Sequence, residues 1–298
     1  MKKWFILWTA ALAIGFAGCT KSQGNVTGAT ETQAPAVSAN TSDKAVAADK
    51  AAATDTATTT TEKKDMKTSL TRDELGFQTD TFHTASGKEI SFHCIKHGSV
   101  RIVYDGVEIE VDPVMELHGR NTDYHAFPDA DYILITHEHF DHLDPAAVSA
   151  LEKMDTKIIT NAVCAGKLGK GDVMANGDSR DLRSDIHLEA VPAYNTTPGH
   201  EKFHPKGRDN GFVLTVDGFR IYIAGDTEDI PEMDAIHDID IAFLPCNQPY
   251  TMTVTQLASA AKRIHPKVVF PYHVSDTPMK DVTAALQGSD IDLRIREY

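Results

Sequence analysis

The stretch "DYILITHEHFDHLD", residues 131–144, constrains the fold more than any other part of this chain. "DYILIT" reads as a strand buried on both faces, because its apolar run is continuous and not alternating. Directly after it, His137, Glu138, His139, Asp141, His142 and Asp144 crowd together. A solvated polar loop has no need of three imidazoles in six positions. On an extended chain, side chains two apart share a face, so His137 and His139 can meet one centre. Asp141 and His142 follow a bend and are expected to face a second centre nearby. Imidazole with carboxylate suits Zn, Fe or Mn. Glu138 falls between the inward positions, and Asp144 reads as the N-cap of a helix beginning at Pro145.

One loop cannot complete two metal sites, so further ligands are expected at other strand ends. Asp226 closes "RIYIAGD", and His273 closes "KVVFPYH". Around them the pattern is regular. "SVRIVYDGVEIEVDP" and "GFVLTVDGFRIYIAGD" are hairpins turning at Asp105-Gly106 and Asp217-Gly218. "TKIITN", "HLEAVPAY" and "DIDIAFLP" read as further strands, and "DPAAVSALEKM" and "TVTQLASAAKRI" as helices. In each half a D-G hairpin leads into an Asp-led apolar strand. That echo predicts two similar β-rich halves packed face to face with helices outside.

These residues, in this order, resemble the metallo-β-lactamase superfamily, and in particular its ascorbate-6-phosphate-lactonase-like metal-dependent hydrolases. The resemblance runs from about Phe82 to the C-terminus through "THEHFDHLD", "VPAYN", "HPKG", "IYIAGDTEDIPEM", "DIDIAFLP" and "FPYH". It implies an α/β fold, a four-layer αββα sandwich, with a binuclear site along one sheet edge. It also implies that His137 and His139 bind a first metal, that Asp141, His142 and His273 bind a second, and that Asp226 bridges them. Related enzymes supply one more His to the first metal from the loop after the strand ending near Tyr194. This chain departs there, with Asn195 in the usual place. His204, in "HPKG", is the favoured substitute; His200 is the rival, and Asn195 a supporting residue.

The function implied is hydrolysis: a hydroxide bridging two divalent ions, Zn or else Mn, Fe or Ni, attacks a carbonyl or phosphoryl centre. Asp141 is expected to orient that nucleophile or carry its proton. A lactone or other ester is the expected substrate. The alternatives are a phosphodiester of a phospholipid or nucleotide, and a metal-retaining module without catalysis. Lys206, Arg208, Asn195 and Tyr250 are candidate substrate contacts, the first two as anion grips.

The rest of the chain bears on location. "MKKWFILWTAALAIGFAGCT" has the basic start, apolar core and small residues of an export signal, and "FAGC" resembles a bacterial lipobox. Residues 1–19 are therefore expected to be a lipoprotein-type signal, cut so that Cys19 becomes the lipidated first residue and anchors the protein to a membrane. That places the protein in a bacterial cell envelope, with the outer membrane favoured over a secreted or periplasmic form. Residues 20–70, rich in Ala and Thr, are expected to be a disordered tether, and 71–298 the hydrolase domain. The net charge of −14 gives no basic face for nucleic acid, so the expected partner is a small molecule. Cys94, Cys164 and Cys246 are an odd, irregularly spaced set, read as buried thiols.

Overall fold

The computed structural model describes residues 71–298; the expected export signal, Cys19 anchor and tether lie outside them. Among the described residues the chain forms an eight-stranded sheet and a seven-stranded sheet. The first runs in the order Thr71–Arg72, Gln78–His83, Glu89–Lys96, Ser99–Tyr104, Val107–Val111, Ala130–Ile135, Glu152–Thr160 and Asp172–Val173. The second runs Ser179–Arg183, Ile186–Ala193, Asp209–Val216, Phe219–Ile223, Ile241–Pro245, Val268–Tyr272 and Asp292–Leu293. The first strands of each sheet pair antiparallel, and the later ones in parallel.

The packing explains the apolar runs. In Ala130–Ile135, Leu134 joins the cluster between the sheets, with Phe92, Ile109, Phe212, Phe243 and Phe270. Ile133 and Ile135 face the other way, into a cluster with Ala147, Val148 and Leu151 of the helix Pro145–Leu151. The second sheet is covered likewise on its outer face, where Leu257, Ala261 and Ile264 of the helix Val254–Ile264 pack beside Val269 and Leu244. Helix, sheet, sheet, helix is the αββα arrangement. A strand with no wet face needs no polar alternation, which is why "DYILIT" reads as it does.

Two boundaries differ from the sequence reading. The helix expected over "DPAAVSALEKM" stops at Leu151. Glu152 already pairs with Ala130, and the Thr156 hydroxyl accepts from the Lys153 N–H at 2.8 Å. Strand pairing therefore takes the last helical residues, and "TKIITN" becomes part of Glu152–Thr160. The helix Ala162–Leu168 was not read from sequence, although its signals are present: Asn161 caps Cys164 N–H and Gly169 closes it in the left-handed conformation.

The topology gathers strand ends. Val107–Val111, Ala130–Ile135 and Glu152–Thr160 run parallel, as do Phe219–Ile223, Ile241–Pro245 and Val268–Tyr272. Asp112, Thr136, Asp226 and His273 all lie just beyond the carboxyl ends of these strands. Such ends are where open α/β sheets hold ligands.

One buried group sits away from that edge. Glu110 is 1 % exposed, and neither carboxyl oxygen has a hydrogen-bond partner. Its nearest cation, Arg101, stands 3.9 Å off and is already paired to Glu108. Burial raises its pKa well above the ordinary value. A folded-state pKa above the unfolded one means that stability is fully present at acid pH and falls as pH rises. Glu110→Gln removes that loss. The melting temperature of Glu110→Gln relative to wild type is expected to rise between about pH 5 and pH 8, with each kcal/mol read as roughly 2–4 °C. A difference independent of pH contradicts the assignment.

Candidate metal centre

Histidine lone pairs are aimed by what holds the other ring nitrogen. The Asp112 carboxylate accepts from His142 Nδ1 at 2.8 Å, so His142 turns its Nε2 inward. Asp112 also accepts from the N–H and hydroxyl of Thr136, at 2.8 and 2.7 Å. With its proton committed to Asp112, the Thr136 oxygen accepts from His137 Nδ1 at 2.9 Å. Asp209 does the same for His204 Nδ1 at 3.0 Å. Three imidazoles thus turn their Nε2 atoms to one place.

That place is Asp226. Its Oδ1 lies 3.3 Å from His142 Nε2, and its Oδ2 lies 3.1, 3.4 and 3.7 Å from the Nε2 atoms of His273, His204 and His137. Asp226 Oδ1, His142 Nε2 and His273 Nε2 are buried without a hydrogen-bonded partner, despite this crowding. The backbone enforces the approach. Gly225 has φ +64°, and a Cβ there would stand 2.8 Å from the Asn210 carbonyl. Its N–H donates to the Tyr272 hydroxyl at 2.9 Å, which ties the strand end carrying Asp226 to the one carrying His273.

Two groups of ligand atoms result, each within 4.8 Å: His137, His139, His204 and Asp226, and His97, Asp141, His142 and His273. Orphaned buried nitrogens and a carboxylate shared between the groups fit divalent cations. His139 lies beside His137, with Nδ1 3.1 Å from His137 Nε2. Burial lowers His137 and His139 below the ordinary imidazole pKa, which favours the neutral, ligating form. Burial opposes charge on Asp141 and Asp226 too, but the neighbouring histidines outweigh it and hold both carboxyls far below their usual range.

The structure brings His137, His139, Asp141, His142, His204, Asp226 and His273 together. Of the three candidates after Tyr194, it places His204 in the cluster. His200 bonds to Glu228 at 3.2 Å, outside it. Asn195 is buried with its amide donating to the carbonyls of Tyr250 and His200, so it shapes the loop and does not line the cavity. Lys206 and Arg208 do not line the cavity either. Lys206 pairs with Glu232 at 2.6 Å and bonds to the Tyr194 hydroxyl. Arg208 grips Asp209 and the Phe203 carbonyl and reaches Glu138 at 3.0 Å. Each cation finds a carboxylate in its own layer before it reaches the cavity. Tyr250 does line it. Asp144 caps Ala146 N–H and also holds Met115 N–H.

His97 was missed by the sequence reading. It follows the strand Glu89–Lys96 with φ +50°, and its carbonyl accepts from His273 N–H at 3.0 Å. Its Nε2 is 3.1 Å from Asp141 Oδ2, and its ring lies 3.6 Å from that of His273, centroid to centroid. Burial pushes its pKa down to about 4. At Gly98 a Cβ would stand 2.7 Å from His142 Cε1, so the "HG" turn is shaped by the ring behind it. A lone His in a hairpin turn carries no signal of which sheet edge it reaches.

Phe140, Phe203, Tyr250, His118 and Asp276 complete a cavity of about 700 Å³ over the cluster.

The sequence profile described as a beta-lactamase superfamily domain matches residues 91–273, more than half of the chain. The chain belongs to the metallo-β-lactamase superfamily. A UPF0173 metal-dependent hydrolase of Lysinibacillus sphaericus is 32% identical over 200 residues, covering 64% of this chain and 86% of that protein. One from Ligilactobacillus salivarius is 30% identical over 190 residues, covering 61% and 84%. A crystal structure of a protein assigned as a metal-dependent hydrolase, from Parabacteroides distasonis, is 59% identical with a TM-score of 0.72, covering 74% of this chain and 99% of that one. Igni18, a metallo hydrolase from Ignicoccus hospitalis, shares the fold at 24% identity and a TM-score of 0.60, covering 69% and 94%. The chain is thus a metal-dependent hydrolase of this family.

The geometry ranks the loop histidines. Elemental analysis of purified His204→Ala is expected to show metal content falling by about one equivalent or more, because one of the converging nitrogens is lost. His200→Ala is expected to keep the wild-type content. Equal content in both variants contradicts the placement of His204.

Proposed function

We propose that the chain hydrolyses carboxylic esters or lactones with two divalent metal ions held by the two groups that meet at Asp226. The observation carrying this reading is the Asp226 carboxylate itself, with one oxygen toward His142 and the other toward His273, His204 and His137. Ions bound there supply Lewis acidity and a water acidic enough to ionise near neutral pH. Zn is favoured, with Mn, Fe or Ni able to use the same donors.

The chain's own residues do the rest. Asp226 sets the spacing of the two groups. Asp141 is fixed through Oδ2 by His97, which leaves Oδ1 to orient the attacking water and take its proton. Asp112, Thr136 and Asp209 keep the imidazoles in one tautomer, so no reorientation is needed as charge develops. Phe140, 73% exposed, with Phe203 and Tyr250 in edge-to-face contact at 4.9 Å, gives the cavity an apolar flank.

That flank supports a neutral acyl substrate over a phosphodiester. Lys167, the cation lining the cavity, is donated to the Glu138 carbonyl, and Asp276 adds negative charge. Lys96, in an adjoining hollow, spends its ammonium on the carbonyls of Met115 and Arg120.

Chelation is expected to abolish ester hydrolysis, and added Zn²⁺ or Mn²⁺ to restore it. In a panel of lactones, carboxylic esters and phosphodiesters, kcat/KM for the best acyl substrate is expected to exceed that for the phosphodiesters by about tenfold or more. Full activity of metal-free protein sinks the reading; a phosphodiester preference sinks the substrate class alone. We further propose export and lipid anchoring through Cys19. Cys19→Ser expressed in a bacterial host is expected to lose fatty-acid labelling and to leave the membrane fraction.

A further inference from the structure

A second group of reactive side chains lies on the outer face of the eight-stranded sheet, and the cavity it lines shares no residue with that of the metal centre. Ser91 and His93 are two apart on Glu89–Lys96, so they share a face while Phe92 between them enters the core between the sheets. Ser91 Oγ is 3.0 Å from His93 Nε2. His93 Nδ1 is 2.7 Å from Asp73 Oδ2 and 3.2 Å from Thr79 Oγ1. The other carboxylate oxygen, Asp73 Oδ1, accepts the N–H groups of Leu75 and Phe77 at 3.0 and 2.8 Å.

The proton positions follow. A carboxylate only accepts, so Nδ1 carries the imidazole proton and Nε2 is bare. Ser91 therefore donates its hydroxyl proton to Nε2, as a nucleophile donates to its base. Burial lowers the pKa of His93, which keeps the ring neutral and able to take that proton. Asp73 and His93 are buried behind the serine, which itself lines an open cavity of about 580 Å³. Arg101 stands opposite His93 across the strand pair, held through Nε and Nη2 by Glu108. Leu75, Phe127 and Pro128 supply apolar walls.

We propose that Ser91 is a nucleophile activated by His93, with Asp73 as a positioning residue, in a second site that takes acyl groups from small carboxylic esters. Ser91 Oγ bonds to the ester carbonyl carbon and passes its proton to His93 Nε2. The ester C–O bond breaks, and the leaving oxygen takes that proton and departs as the alcohol. Water then attacks the acyl-serine, its proton passing through Nε2 to Ser91 Oγ, and the carboxylic acid is released. No step uses the metal centre.

The test uses the metal-loaded protein and a fluorophosphonate probe, with adducts located by peptide mass spectrometry. Ser91 is expected to carry the adduct, at a rate about tenfold or more lower in His93→Gln. The wild-type labelling rate is expected to rise with pH and level off below the ordinary histidine midpoint of about 6.5. Asp73→Asn is expected to move that midpoint, which loss of a merely structural bond would not do. Metal-dependent turnover within about twofold of wild type shows each variant folded and the first site intact. Absence of a Ser91 adduct on wild type overturns the proposal, as does equal labelling of a folded His93→Gln. If His93→Gln does not fold, the wild-type pH profile decides, and a labelling rate that still climbs through a midpoint at or above about 6.5, or that follows no single titration below it, overturns it.

Discussion

The centre depends on one buried carboxylate. Asp226 is 2 % exposed and faces four imidazole nitrogens, with no backbone or hydroxyl donor taking the charge of Oδ1. A buried carboxylate is costly unless paired. Here the compensating groups arrive from three separate segments: the loop after Ala130–Ile135, the loop before Asp209–Val216, and the end of Val268–Tyr272. The parallel strands of the two sheets bring two of those segments to one edge, and the connection between the antiparallel strands Ile186–Ala193 and Asp209–Val216 brings the third. The centre thus depends on strand register, since slipping a ligand-bearing strand by one residue against its neighbour would turn its side chains to the opposite face.

Behind the nitrogens stands a layer of acidic residues that sequence patterns do not single out. Asp112 and Asp209 fix histidine tautomers, and Glu228 accepts four donors from Thr196 and Thr197 to hold the loop that delivers His204. Arg208 braces that loop against Glu138 and Asp209. This explains why two cations in "HPKGRDNG" do not reach the cavity: the loop carrying His204 needs its own charge balance to stay in place. A site with directed lone pairs needs rigid supports, and in this chain the supports use the charges that would otherwise suggest substrate binding.

Much of this was legible in the chain. The doubly buried strand, the D-G hairpins and the helix caps encode local geometry directly, because turn chemistry and apolar periodicity act over a few residues. The crowd after Ile135 announced metal ligation because three imidazoles in six positions have no other economical use. Asp226 and His273 were legible only through their position after apolar runs. The end of the helix at Leu151 was not, because it is set by pairing between Glu152 and Ala130, twenty-two residues away.

The sequence by itself determined the residue types, the strand-end placement of the ligands and the layered architecture, since each rests on local chemistry or on the family pattern carried in "THEHFDHLD" and its partners. The tertiary structure alone decided which histidine joined them. His204, His200 and Asn195 lie within ten residues of one loop, and His97 lies in a distant hairpin turn. Which of these nitrogens meets Asp226 or Asp141 depends on loop path and sheet register, and both are fixed by contacts between residues far apart in the chain.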